Sequence, residues 1–341
     1  MTAAPRIVVA DDSPFMRSVL GGALSAAGFD VVGTASDGDD ALEQCRKLRP
    51  DAMTLDLAMP GLGGIGVLRA LRAGEAPDLP VVVVSAFSPA HGARAVDALA
   101  EGAFDLVPKP AVGEPFNSFI DSLAARLHAA IAHRPAPPAN GRVEPARTAT
   151  ARRAGARRPV VIATSTGGPR ALARLIPELP APLGEGVVIV QHMPAGFTGS
   201  LAARLDRDSA LAVREAAAGD ALDPGSALIA PGGNHLRLDA GRSVLSDDEP
   251  IGGLRPRADL TIGDVARTWG ERTLLVVLTG MGRDGVEGAR AVREAGGRVL
   301  CEAPETCTVY GMPRAVVEEG LADLSLPLHD LAQAIVAEAG A

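Results

Sequence analysis

The sequence predicts an α/β protein built from two doubly wound domains, the first around a five-stranded parallel sheet. Three observations predict this. Short β-branched runs alternate with helical patterns over residues 6–127 and again from Pro159 onward, the signature of parallel strands covered by helices. A stretch nearly devoid of large apolar residues separates the two series. The chain is also 341 residues long, more than one ordinary core serves.

The first series places strands at Ile7–Ala10, Val31–Thr34, Ala52–Leu57, Val81–Ser85 and Phe104–Val107. Helical patterns lie between them, as in Met16 to Ala26, where Val19, Leu20 and Ala23 share a face. Residues 128–157 read as a flexible linker, because their composition buries too little to offset ordering entropy. From His133 to Arg158 there are seven arginines and one glutamate, which reads as a solvated face. The second series, residues 158–341, places strands at Val160–Ala163, Val187–Val190, Leu228–Ala230, Leu274–Leu278 and Arg298–Cys301, with a hairpin around Gly232–Gly253.

Composition narrows the function. Aromatics make up 3%, so the cores must be Ala, Val and Leu, and the composition argues against a base-stacking surface. A net charge of −8 argues against general nucleic-acid binding. The longest apolar runs are strand-sized, too short to span a bilayer, and Met1 to Arg6 has no apolar signal region. A cytoplasmic protein that is not inserted in a membrane is expected. Cys45, Cys301 and Cys307 have no metal spacing and read as thiols in a reducing compartment.

In a parallel sheet, function gathers at the carboxyl ends of the strands. In the first domain those ends carry Asp11 and Asp12, Asp56, Ser85 and, after the last strand, Lys109. Crowded carboxylates repel unless a cation lies between them, and this donor set suits Mg²⁺. A lysine and a hydroxyl opposite suit a phosphoryl group carried on one carboxylate.

In the second domain, Val160–Thr164 runs into Ser165-Thr166-Gly167-Gly168-Pro169, a strand, sharp turn and helix start with a hydroxyl at the corner. Serine needs a neighbouring base, usually histidine. Of six histidines, His91 lies in the first domain, His128 and His133 at its end and in the linker, and His329 at the head of a terminal helix. His192 follows the strand Val187–Val190 and is favoured over His235, which sits in the hairpin region. Asp284, in the glycine-rich loop after Leu274–Leu278, is the candidate carboxylate. The N–H groups of that loop and of the Ser165 turn are candidates to bind an oxyanion.

Other readings stand beside this one. Gly280 to Gly285 fits a dinucleotide fingerprint, with Glu302 as ribose ligand, although Asp284 would then face a pyrophosphate. Ala163 to Gly167 nearly reads as the turn of a general α/β-hydrolase, with His329 completing that fold's order. A phosphorylation-controlled adaptor without catalysis is the third.

Residues 6–127 resemble a response-regulator receiver domain, a flavodoxin-like fold. The resemblance implies Asp56 as phospho-acceptor, Asp11, Asp12 and Asp56 as Mg²⁺ ligands with the Ala58 carbonyl, and Ser85 and Lys109 as the switch pair. Leu106 stands where receivers usually carry an aromatic. The segments Ser165–Pro169, Gln191-His192-Met193-Pro194, Thr279–Gly285 and Tyr310-Gly311-Met312-Pro313 resemble the catalytic domain of chemotaxis protein-glutamate methylesterases, the CheB family. That implies Ser165 as nucleophile, His192 as general base and acid, Asp284 as orienting carboxylate and the Met281 N–H in the oxyanion hole, with no cofactor for the esterase.

Arg255-Pro256 and Asp259 match a family segment lining the same face. Ala163 replaces a usual glycine, and Arg257 replaces a usual small residue close to the expected entrance. The implied partners are chemoreceptor cytoplasmic domains as substrate, by demethylation of methyl-glutamate and deamidation of glutamine, and a sensor histidine kinase as phosphodonor. The chain is expected to act as a monomer, with the unphosphorylated receiver masking the esterase.

Overall fold

The computed structural model describes residues 3–86, 89–110, 115–132 and 157–340, and the chain divides into two units, 1–137 and 138–341. The first unit runs β1 (Arg6–Ala10), α1 (Pro14–Ala26), β2 (Asp30–Ala35), α2 (Gly38–Leu48), β3 (Ala52–Leu55), α3 (Gly63–Ala70), β4 (Val81–Ser85), α4 (Pro89–Ala100), β5 (Asp105–Pro108) and α5 (Phe116–Ala132). The strands form one parallel sheet in the order β2-β1-β3-β4-β5. Strands β3 and β4 are buried along their whole length, which is why they read as unbroken apolar runs rather than alternating ones.

Local chemistry sets the helix starts. Ser13 Oγ accepts from the Met16 N–H at 3.3 Å and Pro14 opens α1. Asp37 accepts from the Asp40 N–H at 2.9 Å at the head of α2. On α1 the wholly buried residues are Leu20 and Leu24, with Val19 and Ala23 half-buried beside them.

Helix α5 continues to Ala132, five residues past the expected domain end at 127. Leu127 and Ala130 are buried, and the His128 ring stacks on Phe29 with centroids 4.4 Å apart. Residues 133–156 of the expected linker lie outside the described residues.

The second unit runs β6 (Val160–Thr164), α6 (Gly168–Leu175), β7 (Val187–Gln191), α7 (Thr198–Arg207), β8 (Ala212–Glu215), β9 (Ser226–Ile229), β10 (His235–Asp239), β11 (Arg242–Ser246), α8 (Ala258–Trp269), β12 (Leu274–Val277), α9 (Val286–Glu294), β13 (Arg298–Glu302), α10 (Met312–Glu318), β14 (Leu324–Leu326) and α11 (Leu328–Ala339). Seven parallel strands take the order β14-β13-β12-β6-β7-β9-β8, with β6 central.

All five strands expected here are present, and two more extend the sheet. β8 and β14 are its edges. One offers only Ala212 and Val213 as apolar residues and the other is three residues long, so neither produces a readable pattern. The expected hairpin is β10–β11. It is fastened to α8 by Arg237, whose Nε and Nη2 donate to Asp264 at 2.7 and 2.9 Å, and by the Leu238 N–H to Asp264 at 3.0 Å.

The cores are aliphatic. Of the described residues, Phe197 is the one aromatic among the bulkiest wholly buried side chains. Truncating a buried leucine such as Leu172 to alanine in such a core costs about 2–5 kcal/mol. Cys45 and Cys301 are buried and Cys307 half-buried, all as free thiols. No helix among the described residues is long and apolar enough to cross a membrane.

Candidate active site and phosphorylation site

In the second unit, β6 and β7 pair in register through Thr164 and Gln191, and the His192 N–H donates to the Thr164 carbonyl at 3.0 Å. Ser165 and His192 therefore leave neighbouring strands at the same level, about 5 Å apart in the hydrogen-bonding direction. The Ser165 backbone is fixed on both sides. Its N–H donates to the Thr279 carbonyl at 3.1 Å, and its own carbonyl accepts from the Gly168 N–H at 2.8 Å and from Gln191 Nε2 at 2.9 Å. The hydroxyl itself has no hydrogen bond among the described residues. Gly167 at φ 81° and Gly168 complete the turn. A Cβ on Gly168 would collide with the Gln191 side chain and lie 2.5 Å from Thr164 Oγ1.

The imidazole of His192 donates from Nε2 to Asp284 Oδ2 at 2.7 Å. That assigns the proton to Nε2 and leaves the lone pair on Nδ1, which is buried and without a partner. Asp284 is 2% exposed. It sits at the N-terminus of α8, where the Ala258 and Asp259 N–H groups donate to it at 2.7 and 2.9 Å. Burial alone would push this carboxyl up. The His192 hydrogen bond and charge and the two backbone donors outweigh it and hold the group at about 2.

The arrangement is reciprocal. Asp259, in the first turn of α8, accepts from the Gly285 and Gly288 N–H groups at the start of α9, at 2.8 and 2.9 Å. Each helix start is thus capped by a carboxylate from the other.

Gly280 packs against Ser165, for a Cβ there would lie 2.9 Å from Ser165 Cβ. The following Met281 N–H has no hydrogen-bond partner among the described residues, whereas the Ser165 N–H, also a candidate oxyanion donor, is committed to Thr279. The Gly280 carbonyl accepts from Gly311 and Met312 at 3.1 and 2.8 Å, so the Tyr310–Pro313 segment fixes this loop.

His235 is 1% exposed, and both its nitrogens are engaged: Nδ1 accepts from the Arg257 N–H at 3.2 Å and Nε2 faces the Glu249 carbonyl at 3.3 Å. His329 is exposed at the start of α11. Neither takes the place of His192. Glu302 is wholly buried and accepts from the Thr279 N–H at 2.8 Å. It supports the loop from beneath instead of facing a ribose. With Asp284 turned inward onto the start of α8 and His192, the dinucleotide reading fails.

Sequence reasoning missed this support. Gln191 and Thr279 hold the turn, with Thr279 Oγ1 donating to the Thr166 carbonyl at 3.0 Å and accepting from Val309 at 2.9 Å. A polar residue closing an otherwise apolar strand was the available signal. Arg257 also proved different. Its guanidinium turns inward, with Nη2 donating to Asp259 Oδ2 at 2.7 Å and Nε 2.9 Å from Asp284 Oδ1. Ala163 is wholly buried, paired with Val190 and Val277.

In the first unit, the ends of β1, β3, β4 and β5 bring the predicted set to one edge. Asp11, Asp12 and Asp56 have ligand atoms all within 4.8 Å of one another. Lys109 Nζ lies 2.7 Å from both Asp11 Oδ2 and Asp56 Oδ2. Toward Asp56 this is a hydrogen bond. Toward Asp11 it is an ion pair without hydrogen-bond alignment, so the buried Oδ2 retains acceptor capacity. Burial works to lower the Lys109 ammonium, but Asp11 and Asp56 raise it above its usual range. Asp56 Oδ1 accepts from the Ala58 N–H at 3.2 Å. Ser85 is buried at the adjacent strand end, and Leu106 is buried in β5.

Comparison with known proteins follows the same division. Residues 160–335 match the CheB methylesterase family model and residues 7–117 the response regulator receiver domain model. A protein-glutamate methylesterase/protein-glutamine glutaminase of Symbiobacterium thermophilum is 45% identical, covering 98% of this chain and 97% of its own length. One from Myxococcus xanthus is 46% identical, covering 96% and 95%. The crystal structure of the Thermotoga maritima CheB methylesterase catalytic domain is similar with a TM-score of 0.51 at 44% identity, covering 53% of this chain and 98% of that one.

Proposed function

This chain belongs to the CheB methylesterase family, and from that premise we propose how its own residues carry the reaction. The enzyme is a protein-glutamate methylesterase and protein-glutamine glutaminase acting on chemoreceptors under control of a receiver domain. The observation that carries the proposal is the 2.7 Å bond from His192 Nε2 to Asp284, with a buried, unpartnered Nδ1 on the strand end beside Ser165.

Ser165 Oγ attacks the side-chain carbonyl of a methylated glutamate while His192 Nδ1 takes its proton. The Met281 N–H donates to the oxyanion. As the tetrahedral intermediate collapses, the imidazolium returns the proton to the departing methoxide, and methanol leaves. A water then attacks the acyl-enzyme, giving its proton to Nδ1, and the Ser165 oxygen recovers a proton as the free glutamate departs. A glutamine side chain follows the same path, with ammonia as leaving group.

On the receiver, a phosphohistidine of a sensor kinase transfers its phosphoryl group to an Asp56 oxygen. Asp11, Asp12 and Asp56 fit Mg²⁺, because three close carboxylates include a buried oxygen with free acceptor capacity. The ion would neutralise charge on the phosphoryl oxygens. Lys109 exchanges its contact with Asp56 for the phosphoryl group, and Ser85 donates to it. The enzyme works as a monomer in the cytoplasm, where both the kinase and the receptor's inner domain reside.

The test is methanol release from methylated receptor membranes, with and without a small phosphodonor. Release is expected to rise with phosphodonor and to vanish in Ser165→Ala of unchanged fold. Undiminished turnover by that variant would remove the nucleophile assignment.

A further inference from the structure

We propose that Arg257 is a positioning residue for the triad, its guanidinium tying the carboxylate of Asp284 to that of Asp259 at the paired helix starts. The inference rests on the esterase reading above.

Asp284 and Asp259 cap each other's helices, and so two carboxylates are held side by side in a largely buried place. Two adjacent anions there repel, and the cheapest relief is a proton on one of them. Burial and the charge of Asp284 both raise the Asp259 carboxyl toward that state. A proton on Asp259 would be free to bridge to Asp284 and compete with His192 for it. Arg257 opposes that rise with a countercharge. Its Nε and Nη2 donate to Asp259 Oδ2 at 3.2 and 2.7 Å, and Nε stands 2.9 Å from Asp284 Oδ1 as an ion pair. Asp284 Oδ2, the oxygen on His192, is left undisturbed.

Arg257 is itself held in place. Its N–H donates to His235 Nδ1 at 3.2 Å, and Nη1 reaches the Ile251 carbonyl at 3.5 Å. Gly252, at φ 61°, gives the guanidinium room, since a Cβ there would lie 3.3 Å from Nη1. The planar fork suits two carboxylates at once; an ammonium offers only a point charge. The charged groups facing the guanidinium are Asp284 and Asp259; His235 meets only the backbone N–H of Arg257, and His192 lies beyond Asp284.

Two consequences separate this role from a structural or substrate-binding one. Without Arg257 Asp259 holds its proton to higher pH and competes with His192 for Asp284, so the acidic limb of the pH–rate profile moves upward. Asp284 also loses one of its four partners, which lowers kcat with KM unaffected.

The experiment measures kcat, KM and the pH profile of methanol release from methylated receptor membranes for the full chain, Arg257→Ala and Arg257→Lys, with thermal unfolding beside them. Arg257→Ala is expected to lose about tenfold in kcat, to keep KM within about twofold, and to shift the acidic limb up by about half to one unit. Arg257→Lys is expected to keep the limb in place and lose about two- to threefold in kcat. Parent-like kcat and limb in Arg257→Ala, or a loss confined to KM, would overturn the role. Should Arg257→Ala not fold, a lysine variant with a displaced limb would overturn it equally. Absence of methanol release by the parent chain would strike the esterase reading itself; release with unaltered variants strikes only Arg257.

Discussion

Four groups converge on the carboxylate of Asp284: an imidazole, a guanidinium and two backbone N–H groups. Its pKa in the folded chain is depressed to about 2. The stability it confers is therefore present above the ordinary carboxylate value near 4 and lost as the pH falls from there toward about 2, a contribution of about 2 kcal/mol. Urea unfolding of the esterase unit at pH 6, 4 and 3 is expected to show that loss, and Asp284→Asn to remove its pH dependence. Glu302 has the opposite sign. Burial dominates and raises its carboxyl above the usual range, against the hydrogen bond from Thr279. Its stabilisation is full below the ordinary value and declines as the pH rises through the raised one. Glu302→Gln is accordingly expected to melt higher than the parent at pH 8 and equally at pH 4, measured by circular dichroism. Ser165, His192 and Asp284 were legible in the sequence because each directly follows a strand or its loop. The partnership of Arg257 with Asp259 and Asp284 was not, since it depends on how two helices pack.

Among the elements, the β6–α6 turn carries Ser165, the proposed nucleophile. The apolar run, the serine and the glycine pair announced it, but the closeness of its packing became visible only with β7 beside it. Gly168→Ala would drive a methyl group into Gln191 and Thr164. We expect a loss of about 2–4 kcal/mol in urea unfolding and a fall in methanol release larger than the stability loss explains, because Gln191 also holds the Ser165 carbonyl. The strong central strands were legible from β-branched runs. The edges β8 and β14 were not, because short half-exposed strands owe their conformation to the neighbour they pair with.

Across the molecule, two separate cores carry two chemistries on one chain. Asp56→Asn, with its acceptor oxygen removed, is expected to abolish stimulation by a phosphodonor while leaving basal methanol release within about twofold. Deleting residues 1–137 is expected to raise basal release in the same assay; an unchanged rate would reject inhibition by the receiver. The sequence by itself determined the two α/β domains, the strand ends that bear Asp11, Asp12, Asp56, Ser85, Lys109, Ser165 and His192, and the loop that bears Asp284. It could do so because strand periodicity and glycine punctuation are local properties of the chain. Tertiary structure alone decided which imidazole nitrogen faces the acid, that α8 and α9 cap each other, and that Arg257 turns inward. Those outcomes rest on contacts between residues tens of positions apart, whose energies no local pattern encodes.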